Sequence, residues 1–140
     1  MHSDKYNYSN YKIEGLSNEK ERDFMIYAVS KNNAKVSQQL IQRYTGTGIY
    51  STVPYLVKIN ENKFLVIWQE ENIQNNSDWR SKINGNVKYA IVDSQGQITK
   101  AVTTLENYML SKCQPAYIDG KVVWPVQMSG YITFYYLPVN

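Results

Sequence analysis

At 140 residues, with 43% hydrophobic and 19% charged residues and a net charge of +3, the chain has one domain's length and is too apolar for disorder. No run approaches the roughly 18 apolar residues a transmembrane helix needs. Lys and Arg are scattered singly, which argues against a phosphate-binding stripe and against nucleic acid as a partner. The single cysteine, Cys113, excludes an internal disulfide and any multi-cysteine metal site. Thirteen tyrosines stand against three phenylalanines, and tyrosine suits half-buried sheet positions and wet binding surfaces alike.

The start, Met-His-Ser-Asp-Lys, has no apolar segment of the signal-peptide kind. That fits a cytoplasmic protein or a piece of a longer exported chain, and the interrupted repeat described below favours the second. Residues 1–18 are polar, with Tyr6, Tyr8 and Tyr11 alternating with small polar residues. They read as an edge strand or as an unstructured lead.

Residues 17–44 carry two conflicting patterns. Ser17 to Glu21 could cap a helix, and Lys35 to Gln42 would tolerate one, giving an α+β protein. Phe24 to Val29, however, is a compact apolar run followed by Ser-Lys-Asn-Asn, a turn signal. A later stretch matches it: Val87 to Val92, then Asp93-Ser94-Gln95-Gly96. After each turn comes a mixed polar segment, Ala34 to Gln42 and Gln97 to Leu105. Each segment leads through a loop to a proline-entered phrase, Pro54 to Trp68 and Gln114 to Trp124. The second phrase holds two short strands around Asp119-Gly120, a pair suited to positive φ at both central positions of a tight hairpin.

Residues 24–68 and 87–124 therefore read as two copies of one antiparallel unit, about 60 residues apart, with Tyr27 and Tyr89 as counterparts. Pro125 to Met128, a Ser129-Gly130 turn and a terminal strand 131–137 begin to extend the second. Gln69 to Asn86 is the longest polar interruption and reads as a loop containing Trp79. The expected fold is an all-β antiparallel meander within one domain, residues 19–140, amounting to about two β-propeller-like blades. Two blades cannot close a ring. Flanking repeats of a longer chain, association of copies, or closure into a β-sandwich would each solve that.

The run Cys113-Gln-Pro-Ala-Tyr-Ile-Asp-Gly-Lys-Val-Val-Trp124, followed by Phe134-Tyr135-Tyr136, resembles a tandem repeat of large surface proteins of Gram-positive bacteria. There a Pro-entered strand, a Gly-Lys-Val-Val-Trp strand and an aromatic strand recur like propeller blades. Tyr50 to Trp68 departs from the pattern: Asn62 stands where the turn has Gly120, and Phe64-Leu65 lengthen the strand by two residues. Two residues preserve strand parity, so Trp68 and Trp124 can face the same layer. The resemblance implies a surface location and a binding or spacer role, and it carries no catalytic motif.

The residues offer little chemistry. His2 is the only histidine and lies at a terminus, Cys113 reads as a buried small hydrophobe, and Asp78, Asp93 and Asp119 fall in separate turns. Thr45-Gly46-Thr47-Gly48 lacks the Gly-Lys-Ser/Thr of a phosphate cradle. Glu70, Glu71 and Asp78 lie near one loop and read as solvated carboxylates. The expectation is therefore a non-enzymatic module without cofactor or metal, extracellular or at the cell surface, that recognises a glycan or a protein. Trp79, Tyr50, Tyr108 and Tyr131 are the candidate ligand-binding residues, since aromatic faces near loops and strand ends can stack on sugar rings. The alternatives are a scaffold that assembles with its own copies through edge strands, and a fragment of a carbohydrate-active enzyme.

Overall fold

The computed structural model describes residues 23–52, 54–72 and 85–139. Those residues form ten strands and no helix. The strands are β1 (Phe24–Val29), β2 (Val36–Gln42), β3 (Ile49–Ser51), β4 (Tyr55–Asn60) and β5 (Lys63–Asn72), then β6 (Val87–Val92), β7 (Ile98–Leu105), β8 (Ala116–Ile118), β9 (Lys121–Met128) and β10 (Tyr131–Pro138). Every pairing is antiparallel. The chain is all-β, and the helical alternative is overturned from Phe24 to Gln42. The lead 1–18, with His2, and the segment holding Trp79 and Asp78 lie outside the described residues.

Three sheets result. β1 and β2 form a hairpin, and β8, β9 and β10 form a meander in the order β10-β9-β8. Between them lies a sheet in the order β3-β5-β6-β7, with β4 also paired to β5. β3 and β4 share the β5 edge opposite β6, and Pro54, which lacks an N–H, sits in the break between them. Thr52 bridges that break: its N–H donates to the Gln69 carbonyl at 2.8 Å, and its hydroxyl accepts from the Gln69 N–H at 3.1 Å.

The sheets stack face to face. Leu65 and Ile67 of β5, with Val87, Tyr89 and Ile91 of β6, pack against Val122, Trp124, Val126 and Leu137 of the β8–β10 sheet. Val66, Trp68, Ala90 and Val92 point the other way, onto Phe24, Ile26, Ile41 and Tyr44. This explains why Leu65-Val66-Ile67-Trp68 is an unbroken apolar run: a strand covered on both faces has no polar side to alternate with. Trp68 and Trp124 each face the sheet that precedes them in the chain.

Four sequence expectations need correction. β5 continues through Gln69, Glu70, Glu71 and Asn72, so the polar interruption begins later than composition suggests. β9 continues past Trp124 to Met128, with Pro125 beyond Val123, where β9 loses its β8 neighbour and a missing N–H is tolerated. Cys113 is exposed, in the segment that leads into β8. Tyr27 and Tyr89 are not counterparts. Phe24 and Ile26 turn toward the next sheet, as Val87 and Tyr89 do, which puts Tyr27 on the opposite face of its strand. A one-residue slip reverses every side chain at period 2.

Candidate functional site

The most polar buried place lies where the β1–β2 hairpin meets the central sheet. Tyr44 follows β2, and its backbone is held by Asp23, whose Oδ1 accepts the N–H groups of Tyr44 at 2.7 Å and Thr45 at 3.0 Å. Burial pushes the Asp23 carboxyl up. Hydrogen bonds from Thr45 and Tyr44 and the charge of Arg43 outweigh that and hold it below the ordinary carboxylate value. So placed, the Tyr44 ring enters the core beside Trp68, and the Phe24 ring meets Trp68 edge-on at 4.9 Å.

The Trp68 indole Nε1–H donates to the Tyr44 hydroxyl at 2.7 Å. That hydroxyl donates in turn to Glu70 Oε1 at 2.8 Å. The same oxygen lies 2.9 Å from Lys88 Nζ, with the two side chains 8% (Glu70) and 19% (Lys88) exposed. Glu70 is therefore no solvated loop carboxylate. Burial, reinforced by the adjacent Glu70 carboxylate, drives the Tyr44 hydroxyl far above the usual phenol value despite the indole donor. It stays protonated and serves as a fixed donor. Among the described residues no buried side-chain nitrogen or oxygen lacks a hydrogen-bond partner. The polar atoms of this chain of contacts are engaged with one another, so its chemistry is that of a lock between two sheets.

A different kind of surface lies on the far side of the β8–β10 sheet. Asp119 (φ 47°) and Gly120 (φ 81°) make the tight turn between β8 and β9 with both central residues left-handed. The register sets Ile118 opposite Lys121, Tyr136 opposite Val123, Phe134 opposite Pro125 and Ile132 opposite Gln127. Val122, Trp124 and Val126 point into the core, so Val123 and Pro125, with Phe134 and Tyr136 beside them, point out. Ile118 is 54% exposed, Ile132 61%, Phe134 66% and Tyr136 56%. The ammonium of Lys121 lies 5.2 Å from the centre of the Tyr136 ring and puts a positive charge at this face.

The aromatic residues chosen from sequence fare differently. Tyr108, past the end of β7, is half-buried. Its ring lies 6.0 Å from that of Trp124 and 5.4 Å from that of Tyr135, and its hydroxyl donates to the Tyr136 carbonyl at 3.3 Å. Tyr131 opens β10 opposite Met128 and is exposed, about 13 Å by strand rise from Tyr135. Tyr50 lies in β3 opposite Glu71, and Trp79 is outside the described residues. The structure thus separates Tyr108 from Tyr131, and the residues that share an exposed face are Ile118, Ile132, Phe134 and Tyr136.

A usable signal for that face was present. Ile132-Thr133-Phe134-Tyr135-Tyr136-Leu137 is apolar or aromatic at nearly every position, like Leu65 to Trp68. In β5 that composition accompanies cover on both faces, whereas in β10 only one face is covered. Among the described residues no group of three or more His, Cys, Asp or Glu side chains is placed to hold a metal ion. Compared with protein-family models, curated proteins and solved structures, the chain matches none.

Proposed function

We propose that the protein is a non-enzymatic binding and scaffold module, a propeller-like repeat unit of a surface-associated protein, whose contact surface is the outer face of the β8–β10 sheet. The observation that carries this reading is the exposure of Ile132, Phe134 and Tyr136 along one face of one strand. Contiguous apolar surface of this kind marks contact sites in soluble proteins. A protein partner suits the face better than a glycan. Sugar hydroxyls need hydrogen-bonding groups around the stacking ring, and here Lys121 and Gln127 stand at the two ends of a strip that is apolar between them save for the Tyr136 hydroxyl. The surface location rests on the resemblance of Cys113 to Trp124 to bacterial surface repeats.

A photo-crosslinking phenylalanine analogue at position 132 tests the reading, with the same analogue at the exposed Thr104 of β7 as control. The expected result is a protein adduct at 132, absent at 104 and abolished by Phe134→Lys. An absence of protein adducts at 132, with retention on a glycan array that Phe134→Lys removes, would turn the reading toward a sugar ligand.

A further inference from the structure

We infer that the partner on this face is a second copy of the chain, packed face to face through the β8–β10 sheet in a two-fold dimer. The inference rests on the reading above that the outer face is a protein-contact surface, and it names the occupant. Ile118, Ile132, Phe134 and Tyr136 leave between 54% and 66% of their surface bare. At roughly 150–200 Å² per large side chain this amounts to about 350–480 Å², before the half-buried Val123 and Pro125 are added. A standard interface takes about 800 Å² from each partner, a little over half of it apolar, or about 450 Å². One such face therefore supplies one side of a stable interface, and a second copy supplies the other.

The two ends of the stack differ in exposed apolar surface. Among the described residues, the large apolar side chains strongly exposed on the outer face of the β1–β2 hairpin are Val29 and Val36, at 61% and 58%. An end-to-end pairing would match a large apolar face to a smaller one and leave part of it wet. Pairing like with like buries the larger face completely, and closed two-fold contacts are the commonest in soluble oligomers. Two sheets meeting this way reproduce, between molecules, the sheet-on-sheet packing that the chain already makes twice within itself.

Charge permits the arrangement. Lys121 sits at one end of β9, beside the turn, and its ammonium covers the edge of the apolar strip next to Tyr136. A two-fold axis lying in the interface across the strands sets the two Lys121 groups at opposite ends. Their like charges then stay apart and at the wet rim.

Sedimentation velocity on the 140-residue chain across the micromolar range tests the inference. The expected result is a reversible monomer–dimer equilibrium. Phe134→Lys and Ile132→Lys, both at exposed positions, are each expected to weaken it by about tenfold or more, with the far-ultraviolet circular dichroism of the parent retained, and its melting curve retained at concentrations where the parent is monomeric. Val29→Lys, at the other end of the stack, is expected to leave it unchanged. A monomer throughout the range overturns the dimer, as do growth beyond a dimer, loss on Val29→Lys, or persistence in both lysine variants. A monomeric chain whose position-132 crosslinker captures a different protein removes the dimer and keeps the contact-surface reading. A monomeric chain with no adduct at 132 removes both.

Discussion

The carboxylate of Glu70 shows how a polar residue in the sequence can be a core residue in the fold. It accepts from the Tyr44 hydroxyl and pairs with Lys88, and the Tyr44 hydroxyl also takes the Trp68 indole N–H. Removing one member strands the others. Lys88→Met leaves the Glu70 charge without its counter-ion, and because Lys88 keeps some contact with water the loss should fall toward the low end of the about 3–5 kcal/mol expected for a broken buried pair. The double variant Lys88→Met with Glu70→Leu replaces both charges by apolar groups and should cost less than Lys88→Met alone, since no orphan ion remains and a neutral Tyr44 hydroxyl without its acceptor costs less than a buried unpaired charge. Urea denaturation of the parent, both single variants and the double variant measures this, and a double variant less stable than Lys88→Met would contradict it. None of this was legible in Gln69-Glu70-Glu71-Asn72, which read as the start of a loop. Glu70 becomes a core residue only because Tyr44 and Lys88, distant in sequence, arrive beside it.

At the scale of turns and strands, the sequence was most informative where backbone geometry is local. Asp119-Gly120 and Asp93-Ser94-Gln95-Gly96 were legible as turns because the residues that tolerate positive φ stand where the chain reverses. Asp93 Oδ1 accepts the N–H groups of Gln95 and Gln97, which fixes the second turn from within. What the sequence did not reveal is that the two turns differ in surroundings. A side chain at Gly120 would meet nothing within 4 Å, whereas a Cβ at Gly96 would come within 3.3 Å of the Ala28 Cβ on β1. Gly120→Ala should therefore cost only backbone strain, about 1–2 kcal/mol. Gly96→Ala carries similar strain and also presses the β6–β7 turn against the neighbouring hairpin, so it should lower the melting temperature further. Equal shifts in the two variants would show that the β1 contact yields freely. The Tyr27 slip belongs to the same scale: Phe24 to Val29 was legible as a strand, but its facing was set by the sheet it packs on.

The described residues form a stack in which the central sheet is covered twice and each outer sheet once, and this order should govern how it opens. β5 and β6 contribute to both apolar clusters, while the β1–β2 hairpin is held through one of them. Amide hydrogen exchange should accordingly be slowest in β5 and β6, whose opening requires both interfaces to part. The two tryptophans allow each interface to be loosened separately. Trp68 meets the hairpin through Phe24 and Tyr44. Trp124 stands in the other cluster, donates to the Met109 carbonyl at 2.7 Å and stacks on Tyr135 at 5.9 Å. Trp68→Phe should speed exchange in β1 and β2 while leaving β8 to β10 close to the parent, because the lost volume and the lost indole hydrogen bond to the Tyr44 hydroxyl lie on the hairpin side alone. Trp124→Phe should do the reverse. If either substitution instead accelerates exchange in all three sheets to the same extent, the stack opens as a single unit. The outer sheets would then have no independent stability for their facing surfaces to control.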